Sequence, residues 1–256
     1  MKQTKIIATM GPASSSLEVM EKLIKAGVNV FRLNFSHGTH EFQAENVKNI
    51  RKTAAKLSVP VAIMGDLQGP KIRVSKFENN QVELANGDVI VLDTAFDGLG
   101  NAKLVGVDYK ELAHDVKPQD ILLLDDGKIT FTVAKVEGSK ITCNVTQGGV
   151  LKNNKGINKL GGGLTAQEKT EKDLDDIKFI ATQNLDYVAV SFPKEEGDII
   201  FARRKLVEAG SKAQIIAKIE TPQAVKNIDA ILELCDGLMV ARGDLAIEVP
   251  AERVPM

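Results

Sequence analysis

Six apolar segments of strand length recur along the chain, and helical patterns fill most of the gaps between them. They are "TKIIATMG" (residues 4–11), "NVFRLNFS" (29–36), "VAIMGDLQG" (61–69), "YVAVSFP" (187–193), "IIAKIE" (215–220) and "GLMVARGD" (237–244). Strand and helix alternating at intervals of roughly 25 to 30 residues predict parallel strands with crossover helices, because no tight turn can join parallel neighbours. The helical patterns carry their own punctuation. Residues 15–26 open on Ser15 with Glu18 as a capping box and end before Gly27. Val47, Ile50, Ala54 and Leu57 make one stripe across residues 40–57. Thr165 with Glu168 is expected to cap a further helix that buries Leu174, Ile177 and Ile180. Thr221 before Pro222 opens another, with Val225, Ile228 and Leu232 as its expected buried face and Gly237 after its end.

The alternation breaks once, between residue 69 and about residue 165. There the chain reads "NNQVELANGDVIVLDT" and "DILLLDDGKITFTVAKVEGSKITCNVT", with Asn-Gly and Asp-Gly turns among β-branched runs. Such turns mark hairpins, so an all-β domain is expected as an insertion after the third βα unit. The expected domains are residues 1–69 (barrel, first part), 70–164 (inserted β lid) and 165–256 (barrel, second part).

Composition excludes several classes of function. The 256 residues carry a net charge of −1, are 43% apolar and 26% charged, and include no Trp and two Tyr. A nucleic-acid partner would need clustered excess Lys and Arg, which the chain lacks. Cys143 and Cys235 lie far apart, outside any metal-binding spacing, as expected of a reduced, cytoplasmic protein. The apolar part of "MKQTKIIATMGP" is too short for a signal peptide, and no segment is expected to span a membrane. "AIEVPAERVPM" reads as a chain cut short after the last strand-like segment.

Polar residues gather at the carboxyl ends of the apolar segments. "VFRLNFSHG" sets Arg32, Asn34 and Ser36 on one face, opposite Phe31, Leu33 and Phe35, because strand side chains alternate with period two. Thr9, Asp66, Gln68, Ser191, Lys218, Glu220, Arg242 and Asp244 end the other segments. Ligands of parallel α/β sheets and barrels bind at that edge, so these residues are expected to share one polar site. Glu220 and Asp244 are hard oxygen donors suited to Mg²⁺. Lys218 and Arg32 add fixed positive charge of the kind a phosphate needs. No Walker sequence, dinucleotide glycine motif or serine elbow is present, so phosphoryl or enol chemistry with Mg²⁺ is the expectation. Simpler roles exist for several of these residues: a Lys-x-Glu pair is commonly a salt bridge. His37 beside Gly38 suits a turn, Gly161–Gly163 a linker, Cys143 a strand core and Cys235 a helix core.

Over essentially its whole length the chain resembles the pyruvate kinase family. The resemblance rests on "TKIIATMGPAS", "AGVNVFRLNFSHG", "GDLQGPKIR", "LLLDDG", "NNKGIN", "TEKD", "VAVSFP", "IIAKIETPQAV" and "DGLMVARGDLAIEVP". It implies a (β/α)₈ TIM-type barrel, six of whose eight strands are present, with a mobile β lid inserted after the third. It implies that Glu220 and Asp244 hold Mg²⁺ or Mn²⁺, that Lys218 stabilises the phosphoryl group in flight, and that Arg32 binds phosphate. Ala241, Arg242 and Gly243 would receive the substrate carboxylate at a helix start. Asn34, Ser36, Asp66 and the backbone of Leu67 match a K⁺ site, and Asn34, His37, Arg73 and Lys155 match the nucleotide side. The implied reaction takes phosphoenolpyruvate and ADP to pyruvate and ATP, in a full-length protein that is homotetrameric and has neither nucleic-acid nor membrane partners.

Three departures stand out. Ala246 replaces a usual glycine, "NKLGGG" replaces a commoner Asn-Leu-Pro-Gly as in one bacterial branch, and the last two barrel strands and the C-terminal domain that the resemblance implies are expected to lie outside these 256 residues. Lys71 also occupies the place of a glutamate found in potassium-dependent members, so the chain resembles a potassium-independent branch and K⁺ is expected to be dispensable. Two further readings stay open from sequence. One is an inactive fragment with residual metal or nucleotide binding, and the other is a different Mg²⁺-dependent barrel enzyme acting on phosphoenolpyruvate.

Overall fold

A computed structural model describes residues 3–165, 170–249 and 254 of the chain. Each of the six apolar segments contains a strand, and the β-branched runs between residues 70 and 160 supply the others. In chain order the strands are β1 (Ile6–Thr9), β2 (Val28–Asn34), β3 (Ala62–Asp66), β4 (Gln81–Leu84), β5 (Val89–Asp93), β6 (Leu104–Gly106), β7 (Ile121–Leu124), β8 (Ile129–Glu137), β9 (Lys140–Gln147), β10 (Gly149–Lys152), β11 (Ile157–Lys159), β12 (Tyr187–Val190), β13 (Gln214–Ile219) and β14 (Gly237–Val240). The helices are α1 (Leu17–Lys25), α2 (His40–Leu57), α3 (Leu112–Asp115), α4 (Glu171–Thr182), α5 (Glu196–Glu208), α6 (Pro222–Lys226), α7 (Ile228–Leu234) and α8 (Arg242–Glu248). Two compact units result. The first runs to Gly69, resumes just before α4, continues through Ile219 and includes Asn227–Val240. The second starts at Pro70 and contains the β-rich segment, with Glu220–Lys226 and the chain from Ala241.

In the first unit six strands form one sheet in the order β1-β2-β3-β12-β13-β14, every pair parallel. Period two then sorts the side chains. Phe31, Leu33, Ile63, Val188, Val190, Ile215 and Ala217 share the face that is fully buried. Met20 and Ile24 of α1, Ile50 of α2, Ile177 and Ile180 of α4, and Ile199 and Leu206 of α5 form the buried faces of the crossover helices. Burying a large apolar side chain is worth about 1.5–3 kcal/mol, and a one-residue register slip would turn the whole set outward. At Gly65 a Cβ would lie 2.9 Å from Ile180 Cδ1 and 3.1 Å from Phe35 Cε2, so the missing side chain lets α4 close onto β3.

The second unit contains a six-stranded sheet, β11-β7-β8-β9-β5-β6, and the pair β10-β4. Phe77, Ile90, Leu92, Leu122, Phe131, Val133 and Ile141 lie in its core. Asp126-Gly127 closes the β7–β8 hairpin, with Leu124 opposite Ile129. Asn86-Gly87 does not close a hairpin: β4 pairs with β10 and β5 with β9, so that turn hands the chain from one sheet to the other. The insertion is not purely β, since α3 supplies one helical turn.

Several local expectations shift. Ser16, not Ser15, caps α1, its Oγ accepting from the Val19 amide; Ser15 instead donates to Gly11 O at the end of a 3₁₀ turn. Thr165 is not the cap of α4, and Glu168 lies outside the described residues. α4 starts at Glu171 with a capping box of Thr170 and Asp173. The helix after Thr221 breaks at Asn227, which rotates its apolar stripe, so Ala224 and Ile231 are buried while Val225 and Leu232 are exposed. Cys235 is half-buried just beyond α7 and not in a helix core. β14 ends at Val240, so Arg242 and Asp244 stand in α8 rather than on a strand.

Asp173 joins the two ends of the insertion within the first unit. Its Oδ2 accepts from the Thr170 amide and hydroxyl, and its Oδ1 accepts from the Gly69 amide at 3.0 Å. Asp173→Ala removes a helix cap and leaves that amide without its acceptor, so a loss of about 2 kcal/mol is expected in urea unfolding. Thr170→Ala, which keeps the Gly69 contact, should cost about half as much. Equal losses in the two variants would show that the Gly69 bond contributes nothing.

Candidate functional site

On the other face of the first sheet, five adjacent strands each contribute one polar residue to a chain of contacts. Thr9 ends β1, Arg32 lies on β2, Asp66 ends β3, Ser191 follows β12 and Lys218 lies on β13. Thr9 Oγ1 accepts from Arg32 Nη1 at 3.1 Å, and Arg32 Nε donates to Asp66 Oδ2 at 2.6 Å, with Nη2 on the same oxygen. Lys218 Nζ lies 3.3 Å from Asp66 Oδ1 and donates to Ser191 Oγ at 2.8 Å. Ser191 has one proton; its 2.6 Å contact with Leu67 O takes that proton in preference to the 3.4 Å contact with Asp66 Oδ1. Asp66, only 1% exposed, therefore meets a cationic group on each oxygen. Of the residues expected to share one polar site, Thr9, Arg32, Asp66, Ser191 and Lys218 lie in one chain of contacts.

Asn34 ends β2, while Ser36, expected on the same strand face, and His37 lie in the loop between β2 and α2. Asn34 Oδ1 accepts from the Ser36 amide at 2.9 Å. The Phe35 amide donates to Asp66 O, which ties the loop to the end of β3. His37 is an exposed turn residue whose carbonyl, like that of Asn34, accepts from Gln43 Nε2.

The second unit holds the other candidates. Arg73 Nη1 donates to Asn154 O at 2.8 Å. Its amide donates to Asp108, whose carboxyl burial pushes above its ordinary value despite that bond. Lys155 Nζ lies 2.7 Å from Asp125 Oδ1, and Lys71 Nζ lies 4.0 Å from Asp126 Oδ1. Glu220, fully buried, directly follows β13, while Ala241 precedes α8 and Arg242, Gly243 and Asp244 form its first turn. Ile219 of β13 pairs with Val240 of β14, so Glu220 and Ala241 are the next residues at one edge of the sheet. Among the described residues no group of three His, Cys, Asp or Glu side chains could hold a metal on its own, and no helix is long and apolar enough to cross a membrane.

The family model for the pyruvate kinase barrel domain matches residues 1–256. The chain belongs to the pyruvate kinase family. Pyruvate kinase II of Salmonella typhimurium is 50% identical over 253 residues, which cover 97% of this chain and 53% of that protein. A pyruvate kinase of Buchnera aphidicola subsp. Baizongia pistaciae is 49% identical over 252 residues, with the same two coverages. Pyruvate kinase 2 of Synechocystis is 44% identical over 259 residues, covering all of this chain and 44% of its own length. The chain thus spans about half the length of the curated relatives it matches.

Thr9 and Ser191 were expected in the shared polar site as strand-end residues, but without an individual role. Gln43 and Asp176 were not singled out from sequence, and Lys172 and Asp173 entered only within the quoted "TEKD", with no role of their own. Thr170 and Asp173 carried a readable signal, since Thr-x-x-Asp has capping-box spacing. Lys172 and Asp176 looked like an ordinary surface pair four residues apart.

The Asp125 carboxyl is held below the usual carboxylate range, chiefly by the hydrogen bond from Lys155; burial opposes the shift, and the charges of Lys155 and Lys128 reinforce it. A lowered folded-state value contributes stability that is present above the unfolded pKa of about 3.9 and lost as pH falls through the lowered value. Lys155→Met should raise the Asp125 carboxyl toward its ordinary range in a carbon-13 titration, moving this loss to higher pH. An unchanged Asp125 titration would rule Lys155 out as the cause.

Proposed function

We propose that this chain carries the phosphoryl-transfer residues of an enzyme that takes phosphoenolpyruvate, ADP and a proton to pyruvate and ATP, a step of glycolysis. The observation that carries the reading is the Lys218 ammonium, 7% exposed and fixed between Ser191 Oγ and Asp66. A cation already desolvated and held in place needs no reorganisation when charge develops on a transferring phosphoryl group. Arg32 presents a guanidinium, braced by Thr9 and Asp66, as a second phosphate ligand.

Glu220 and Asp244 would hold Mg²⁺ or Mn²⁺. The donor set fits: both are hard oxygen ligands, and Mg²⁺ commonly uses one or two carboxylates and completes its shell with phosphate oxygens and water. When bound, the ion would neutralise charge on the transferring group and on the enolate oxygen. Ala241, Arg242 and Gly243 would take the substrate carboxylate. Asn34, His37, Arg73 and Lys155 would take the nucleotide, with the inserted unit as a lid. The cytoplasm and a homotetrameric full-length protein complete the reading.

Lys218→Met in the full-length polypeptide should lower kcat by about 100-fold or more while raising the phosphoenolpyruvate KM far less, because the lost interaction belongs mainly to the transition state. A change confined to KM would make Lys218 a ground-state binding residue and overturn the assignment.

We also infer that K⁺ is dispensable. The site matched by Asn34, Ser36, Asp66 and Leu67 has cationic groups of the protein on both oxygens of Asp66. Lys71 supplies a further ammonium in the "GDLQGPKIR" segment that follows. Turnover in tetramethylammonium buffer should match that with added KCl, and Lys71→Glu should create a KCl requirement. A wild-type rate that depends on KCl would refute this.

A further inference from the structure

Asp176 of α4 is 1% exposed, yet none of the site roles above uses it. Its Oδ2 accepts from Lys172 Nζ at 2.6 Å, and its Oδ1 lies 2.7 Å from His40 Nε2. The His40 ring stacks on Phe179, with centroids 4.3 Å apart and planes 10° from parallel. Lys172 Nζ makes one more contact: it donates to the carbonyl of Phe35 at 2.7 Å. That carbonyl lies in the loop between Asn34 and Ser36.

The contact matters because a peptide unit is planar. Phe35 O and the Ser36 N–H belong to one rigid plane, and the Ser36 N–H donates to Asn34 Oδ1. Lys172 therefore grips one end of the plane whose other end orients the Asn34 side chain. The preceding plane is held in the same way, with Asn34 O taken by Gln43 and the Phe35 amide by Asp66 O. A charged donor on a backbone carbonyl, itself backed by a buried carboxylate, is more than an exposed helix pair requires.

We propose that Lys172 and Asp176 are positioning residues for the β2–α2 loop, and through it for the nucleotide and monovalent-cation contacts of Asn34, Ser36 and His37. Asp176 sets the Lys172 ammonium, with His40 closing its other oxygen, and Lys172 sets the Phe35–Ser36 peptide. This rests on the assignment of the loop to the nucleotide given above.

Two measurements on the full-length polypeptide test it. In Lys172→Met, amide hydrogen exchange of residues 33–40 should quicken by about tenfold while the strands of the same sheet stay unchanged. The KM for ADP should rise by about tenfold, the usual scale for a lost outer contact, with that for phosphoenolpyruvate rising less than about twofold. Lys172→Arg should restore both. Asp176→Asn, which keeps the shape and removes the charge behind Lys172, should move both readouts in the same direction but less. Unchanged loop exchange in Lys172→Met overturns the proposal, as does an equal rise in both KM values, which a merely structural role would produce. Quickened exchange in a protein that cannot phosphorylate ADP from phosphoenolpyruvate leaves the positioning established and fells the functional reading instead.

Discussion

The Asp66 carboxylate closes β3 with the Arg32 guanidinium on one oxygen and the Lys218 ammonium near the other. A buried anion is tolerated only when such partners replace water, and removing one partner from a buried pair typically costs about 3–5 kcal/mol. The partners come from opposite directions along the sheet. Arg32 sits on the adjacent strand, and Lys218 reaches across β12, where Ser191 bridges the gap. Strand order and charge balance are therefore one constraint. A strand order that moved β2 or β13 out of reach of β3 would leave the buried Asp66 carboxylate short of a counterion.

That polar face exists because the opposite face is apolar enough to hold the sheet together without it. Phe31 and Leu33 alternate with Arg32 and Asn34 on β2, so each buried residue fixes the direction of its polar neighbour. The site is in this sense cantilevered from the helix-covered side. Around it stands a second ring of contacts that touches no expected ligand: Gln43 on two loop carbonyls, Lys172 on a third, and Asp173 on the Gly69 amide. These contacts hold the loops, the least constrained part of any α/β fold, in fixed positions beside the strand-end charges.

The second unit presents its charged residues differently. Between β7 and β8 the backbone of Asp125, Asp126 and Gly127 runs through three successive left-handed conformations, with φ of 48°, 59° and 82°. Aspartate tolerates that region better than most residues, though at some cost in strain. The tight turn projects Asp125 toward Lys155 and Lys128, and Asp126 toward Lys71. Here the charged groups belong to a hairpin tip rather than to a row of strand ends, so their positions depend on turn geometry and not on sheet register.

Much of this was legible in the amino-acid order. The side-chain period of two belongs to the extended backbone itself, so "VFRLNFS" alone determined that Arg32 and Asn34 share a face and that Phe31 and Leu33 oppose them. The helix over residues 40–57 was equally plain, because its stripe repeats four times. Cap positions were not, since Ser15 and Ser16 are both acceptable caps and only the backbone turn before α1 selects Ser16. The Asn86-Gly87 turn misled because local turn chemistry says nothing about which strand lies next door. Asp66 and Ser191 are 125 positions apart, and Lys172 and Phe35 are 137 apart. The sequence by itself determined which residues are polar and, within a strand, which of them share a face. Only the tertiary structure decided that Asp66 meets Arg32 and Lys218, and that Lys172 meets the Phe35 carbonyl. Those contacts follow from strand order and helix packing, which long-range burial sets and no local pattern records.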